Sequence, residues 1–228
     1  MVRIFDCSLD TDLLSGMRLA KLAIGREQLV VIPTDTVYGI AADAFSEKAV
    51  AALLAAKGRD ETSPPPVLIG NANTLDALAT DIPQIARELA KAFWPGALTL
   101  ILRAQPSLDW NLGLTRGTVA LRMPDHKIAL ALLQDTGPLA VSSANLTGQP
   151  AATTAAQADE YFTSNVEVYL NAGPSPKGEA STILDLTGIT EKFENEGVVV
   201  NGKIRVVRIG ALSIAKLKAV AGDLIEVS

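Results

Sequence analysis

One cysteine and one histidine are all this chain has of the two residue types most often found on transition metals. Cys7 alone permits no intramolecular disulfide, and Cys7 with His126 falls short of the ligands of a usual zinc site. The same scarcity excludes a catalytic pair drawn from several Cys and His candidates. Cys7 reads as a small apolar residue, and His126, beside Asp125 at a helix start, as a surface residue of a first turn. No apolar run approaches the roughly 20 residues that cross a bilayer, although the mean hydropathy is +0.26. Asp6, Asp10 and Asp12 interrupt the N-terminus where a signal peptide would carry its apolar stretch, so the expectation is a cytoplasmic protein with no membrane contact. Positive charge is not in excess either: 20 Lys and Arg against 25 Asp and Glu leave a formal net charge of −5. That balance excludes a general attraction to polyanions and leaves only local basic surface for nucleic acid.

What is present is an ordinary globular composition, 48% hydrophobic and 20% charged over 228 residues, enough to bury the core of one α/β domain across 1–228. Residues 28–33 form a short apolar run that ends at proline, as a buried strand reaching a turn does. Helical spacing over 47–57 and a strand over 67–69 complete what reads as a β-α-β opening. Apolar residues at 82, 85, 86, 89, 90 and 93 make a helical face that Trp94-Pro95-Gly96 stops before a strand over 98–102. Further strands are expected at 118–121, 139–142, 168–170, 181–185, 197–200 and 203–207. Helices are expected at 128–134, from the alanine-rich 151–158, and near 213–220. Gly173-Pro174-Ser175-Pro176-Lys177-Gly178 is the one obvious loop. The sum is α/β with a mixed sheet.

Four segments concentrate polar chemistry at strand ends, where open α/β sheets bind ligands. Pro33-Thr34-Asp35-Thr36-Val37-Tyr38-Gly39 brings two hydroxyls, a carboxylate and a phenol; a turn stabilised by Thr and Asp side chains explains it equally well. Lys57-Gly58-Arg59 reads as a good helix C-cap, yet the proline-stiffened 63–66 that follows keeps both cations beside the sheet, where they could grip a polyphosphate. Ser142-Ser143-Ala144-Asn145-Leu146-Thr147-Gly148 offers small hydrogen-bonding residues that let backbone N–H groups approach phosphate, although no Walker loop is present and an ordinary turn competes. Arg122 ends an apolar strand, where burial demands an anion: a substrate carboxylate would serve, and so would an internal Asp or Glu.

In order along the chain, PTDTVYG at 33–39, the Lys-x-Arg pair at 57 and 59, WPGALTLIL at 94–102, VALRMP at 119–124, SSANLTG at 142–148, STILD at 181–185 and VRIGAL at 207–212 resemble the threonylcarbamoyl-AMP synthase, or YrdC-like, family in its single-domain form. The resemblance covers about 15–212, and longer family members carry a C-terminal domain for which this chain has no room. Two positions depart from the usual pattern: Asp60 stands where proline commonly follows Lys-x-Arg, and Ser142 replaces a frequent proline.

The resemblance implies a twisted mixed β-sheet flanked by helices, with a central concave ligand cleft. It also implies condensation of L-threonine, bicarbonate and ATP, with Mg²⁺, to threonylcarbamoyl-AMP and pyrophosphate. By motif position Lys57, Arg59, Ser143, Asn145 and Arg208 fall to ATP, with Lys57 and Arg59 as the catalytic cations. Thr34, Thr99, Arg122 and Ser181 fall to threonine. The product would pass to a downstream tRNA threonylcarbamoyl-transferase complex, with room for a weak contact to tRNA. The competing readings are a non-enzymatic double-stranded RNA or tRNA-binding module and a carbamoyl-transfer domain of the hydrogenase-maturation type.

Overall fold

The computed structural model describes residues 3–194 and 197–226. In chain order it runs through β1 (Arg3–Asp6), α1 (Asp10–Ile24), β2 (Leu29–Ile32), β3 (Gly39–Asp43), α2 (Glu47–Lys57), β4 (Val67–Leu68), α3 (Leu75–Leu78) and β5 (Ala79–Thr80). Then follow α4 (Gln84–Phe93), β6 (Leu98–Ala104), β7 (Thr118–Arg122), α5 (Lys127–Thr136), β8 (Leu139–Ser143), α6 (Ala155–Phe162) and β9 (Val166–Asn171). The chain continues with β10 (Thr182–Asp185), the hairpin β11 (Thr190–Glu194) and β12 (Gly197–Asn201), β13 (Ile204–Arg208), α7 (Ile214–Ala221) and β14 (Ile225–Glu226).

Eleven strands follow one another across the main sheet in the order β1-β9-β2-β3-β8-β4-β7-β6-β10-β13-β14, with β5 added on β6. Parallel pairs such as β1 with β9 and β6 with β10 alternate with antiparallel ones such as β3 with β8 and β6 with β7. The sheet is therefore mixed, as expected. One expectation is corrected: β3 intervenes between β2 and α2 and pairs antiparallel to β2, so the opening is a hairpin followed by a helix and not a β-α-β unit.

β2 shows why the sheet needs helices on both faces. Val30 and Ile32 pack with α1 and α5, while Leu29 and Val31 pack with α2 and α6. Burying such side chains contributes about 1.5–3 kcal/mol each, and a strand covered on both faces reads as an unbroken apolar run rather than an alternating one. A third cluster joins α4 and α7 to β6, β7 and β10 in the other half of the sheet. α2 begins at Ser46, whose side chain accepts from the Ala49 N–H at 3.1 Å, and ends at Gly58 with φ +65°. That left-handed turn suits glycine, and it releases the chain toward Arg59 beside the end of the central strand β8.

Candidate functional site

The ends of β2, β6, β7, β8, β10 and β13 converge on a cleft of about 330 Å³. Its lining brings together seven of the nine residues selected from the sequence: Thr34, Arg59, Thr99, Arg122, Ser143, Ser181 and Arg208. Pro64, Pro65 and Pro66 form part of the wall, which explains the proline run: a ring-locked backbone holds the wall with little conformational entropy left to lose.

Thr34 and Thr36 lie in the buried turn between β2 and β3. Thr34 Oγ1 donates to the Val37 carbonyl at 2.6 Å, accepts from the Thr36 N–H at 3.2 Å and sits 3.0 Å from Thr36 Oγ1. The two readings of this segment are thus compatible, since the hydroxyls build the turn and the same residues line the cleft. Gly39 follows, where a Cβ would stand 2.6 Å from Val141 Cγ1, so the close approach of β3 to β8 requires glycine. Across the cleft, Thr99 Oγ1 on β6 and Ser181 Oγ, just before β10, are 2.9 Å apart.

The Lys57/Arg59 pair divides. Arg59 lines the cleft, its guanidinium held among the described residues only by Thr147 Oγ1 at 3.2 Å and Ser142 Oγ at 3.3 Å. Ser142, at the position where proline is frequent in the resembled pattern, gives Arg59 an acceptor that a proline could not. Lys57 instead lies behind the wall, 1% exposed, and its Nζ donates to the carbonyls of Ser143 and Asn145, the latter at 2.6 Å. Its own carbonyl accepts from the Thr147 N–H at 3.1 Å and from Thr147 Oγ1 at 2.9 Å. Lys57 therefore fastens the 142–148 loop to the end of α2. Burial, with Arg59 adding like-charge repulsion, pushes its ammonium down to about 7.

Asn145 also lies behind the lining. Its Nδ2 donates to the carbonyls of Leu146 and Gln149, both at 2.8 Å, while its buried Oδ1 has no partner among the described residues. Arg208 donates through Nε and Nη2 to the Ser181 carbonyl at 3.0 and 2.9 Å. Desolvation, then the Arg59 charge, lowers the Arg208 guanidinium. Two guanidinium groups that repel each other at the lip of one cleft make a site for an anion.

Arg122 meets its anion inside the protein. The Asp35 carboxylate pairs with Nη2, while Nε donates to the Gly96 carbonyl at 2.9 Å and Nη1 to Thr36 Oγ1 at 2.9 Å. Sequence reasoning named Asp35 in its motif without giving it a task. Asp60, in the other departure, accepts from the Thr62 N–H at 2.9 Å and shapes an exposed turn. His126 caps the start of α5, half-buried rather than on the surface as expected; burial lowers its imidazole, and the Asp35 and Asp125 charges oppose that. Among the described residues no three His, Cys, Asp or Glu gather into a metal-holding group, and no helix is long and apolar enough to cross a membrane.

Sequence and fold are similar to those of known proteins. The family model Sua5_yciO_yrdC, described as Telomere recombination, matches residues 22–197. A putative threonylcarbamoyl-AMP synthase of Mycobacterium tuberculosis (strain H37Rv) is 50% identical over 204 residues, which is 90% of this chain and 94% of that protein. The threonylcarbamoyl-AMP synthase of Pyrococcus abyssi is 40% identical over 172 residues, 75% of this chain but 51% of the relative. The crystal structure of P. abyssi Sua5 complexed with L-threonine superposes with a TM-score of 0.83 at 32% identity, covering 99% of this chain and 62% of that one. Family match, relatives and fold agree with the ordered motifs that meet around the cleft, and the chain belongs to the Sua5/YciO/YrdC family.

Proposed function

We propose that this protein is an L-threonylcarbamoyladenylate synthase, a nucleotidyltransferase acting in tRNA N6-threonylcarbamoyladenosine modification. The observation that carries the reading is one cleft with two guanidinium groups, Arg59 and Arg208, bonded only to neutral groups among the described residues at one end and a buried guanidinium, Arg122, among hydroxyls at the other, with Arg208 held on Ser181 between them. The Arg59 and Arg208 end suits a triphosphate, and Ser143 beside it adds a hydroxyl. The Arg122 end, with Thr34, Thr99 and Ser181, suits a small hydroxylated amino acid. The related P. abyssi structure holding L-threonine and the names of the relatives support the same assignment.

The reaction needs no covalent protein nucleophile. Threonine and bicarbonate combine to a carbamate with loss of water. A carbamate oxygen then attacks the α-phosphorus, the bond to the β-phosphate oxygen breaks, and pyrophosphate leaves. Charge develops on phosphate, so fixed donors are worth most there. Arg59 and Arg208 act directly, whereas Lys57 acts by holding the loop that carries Ser143 and Asn145. No carboxylate lines the cleft, and Mg²⁺ usually binds through one or two carboxylates with phosphates and water. The residues do not form a magnesium cage, so Mg²⁺ is read as part of MgATP, the substrate.

The product passes to the downstream threonylcarbamoyl-transferase complex in the cytoplasm. The RNA-binding module lacks support in a chain of net charge −5. Pyrophosphate release with ATP, bicarbonate and threonine tests the reading: release should be negligible when threonine or bicarbonate is omitted. Equal release from ATP alone would make the protein a simple ATPase.

A further inference from the structure

Asp35 is 4% exposed, ionised, and outside the cleft lining, yet three elements converge on it. Arg122 of β7 pairs with it from the cleft side, and the Asp125 N–H donates to Oδ1 at 3.0 Å. Lys177, from the loop joining β9 to β10, approaches Oδ2 at 3.2 Å. Burial alone would raise the carboxyl, but Arg122, the Asp125 N–H and Lys177 together hold it below the ordinary carboxylate value. The loop bearing Lys177 is anchored elsewhere by Tyr38, whose hydroxyl accepts from the Ala172 N–H at 3.0 Å and donates to the Gly173 carbonyl at 2.7 Å. A Ser175 N–H to Thr153 carbonyl bond at 2.7 Å fixes it further. Lys177 is thus presented on a pinned strap, although its side chain is 43% exposed.

Two consequences follow from charge and geometry. A guanidinium has five N–H donors in a rigid fork. Gly96, Thr36 and Asp35 take one each, leaving one N–H on each Nη for a ligand. Without Asp35 the fork would keep its charge and lose the partner that fixes its plane. The Arg122–Asp35 pair alone is neutral and would be a poor receptor for a carboxylate; Lys177 restores a net charge of +1.

We propose that Asp35 is a positioning residue for the amino-acid end of the cleft, fixing the fork of Arg122 while sharing its carboxylate with Lys177, which supplies the cluster's surplus charge. This rests on the assignment of Arg122 to the substrate carboxylate. The proposal has a sign that bulk electrostatics does not. Asp35→Asn removes a negative charge beside the site, so if local charge alone governed binding, threonine would bind more tightly. Positioning demands the reverse.

The experiment is steady-state kinetics of the full chain with MgATP, bicarbonate and threonine, on D35N, K177M, K177R and R122Q. D35N should raise the threonine KM tenfold or more and leave the ATP KM within about twofold. K177M should raise the threonine KM severalfold, and K177R should restore it. A D35N threonine KM equal to or below that of the parent overturns the proposal. If R122Q raises the threonine KM while D35N does not, positioning fails and the Arg122 assignment stands. If R122Q leaves the threonine KM unchanged in a folded protein, the assignment itself fails. Should D35N not fold, K177M and K177R decide: no effect of K177M overturns the shared-carboxylate arrangement.

Discussion

Replacing Arg59 by alanine separates chemistry from stability more cleanly than any other single change in the cleft. Its guanidinium makes two long contacts to neutral hydroxyls, Thr147 at 3.2 Å and Ser142 at 3.3 Å, and has no salt bridge among the described residues. Losing such contacts at a half-exposed position costs about 0.5–1 kcal/mol. In a protein of this size that is about 1–4 °C of Tm. Arg208 would also be relieved of a like-charge neighbour, which reduces the loss further. The effect on turnover is of another order. A donor aimed at charge developing on transferring phosphate is typically worth about a hundredfold or more, which is about 2.7 kcal/mol of transition-state stabilisation. Thermal melts and pyrophosphate release at saturating ATP and threonine read the two quantities on one preparation. A folded Arg59→Ala variant that turns over near the parental rate would refute the reasoning and remove the proposed phosphate site.

Lys57 should behave differently, because its ammonium is buried and held near 7 against an ordinary 10.5. Between those values the unfolded chain binds more protons than the folded one, so stability rises with pH through that window, by up to about 1.4 kcal/mol per pH unit. Denaturant melts at pH 7 and pH 9 should show the parent gaining on Lys57→Met, and a pH-independent difference would contradict the lowering of Lys57 toward 7. Ser142→Ala, which removes one Arg59 acceptor and keeps the N–H that this central strand needs, should change stability by less than about 1 kcal/mol. It should lower turnover by less than Arg59→Ala does, in the same pyrophosphate assay; a loss as large would make Ser142 itself a substrate contact.

The sequence announced some of this fold through local signals and hid the rest where those signals were weak. The 47–57 helix is read to the residue because Ser46 and Gly58 mark both ends with side-chain and backbone chemistry. β3 escaped because Gly39-Ile40-Ala41-Ala42-Asp43 has one β-branched residue and no polar alternation; the strand exists because β2 and β8 flank it and bury it. α1 escaped because Asp10 and Asp12 read as interruptions, whereas in the structure they occupy the first turn, where the helix macrodipole favours negative charge. The alanine-rich 151–158 is helical only from Ala155, after Thr154 caps the helix by accepting from the Gln157 N–H at 3.2 Å.

The site shows the same division more sharply. Of the seven motif residues that reach the cleft, six sit at or beside strand ends and Arg59 follows the C-terminus of α2. Which cation faces the ligand and which faces the protein is decided elsewhere, by partners remote in the chain. Lys57 and Arg59 look equivalent two residues apart, yet the turn at Gly58 sends one side chain under the 142–148 loop and the other over it. Arg122 could have awaited a substrate carboxylate or an internal one; Asp35, 87 positions away, takes one N–H of Nη2, and one N–H on each Nη stays open. A buried ion pair is weak grounds for stability, because desolvation consumes most of its Coulombic gain. Its worth here lies in direction: a paired, hydrogen-bonded guanidinium cannot rotate away from the cleft, so under the proposed assignment its charge is already aimed at the carboxylate before the ligand arrives.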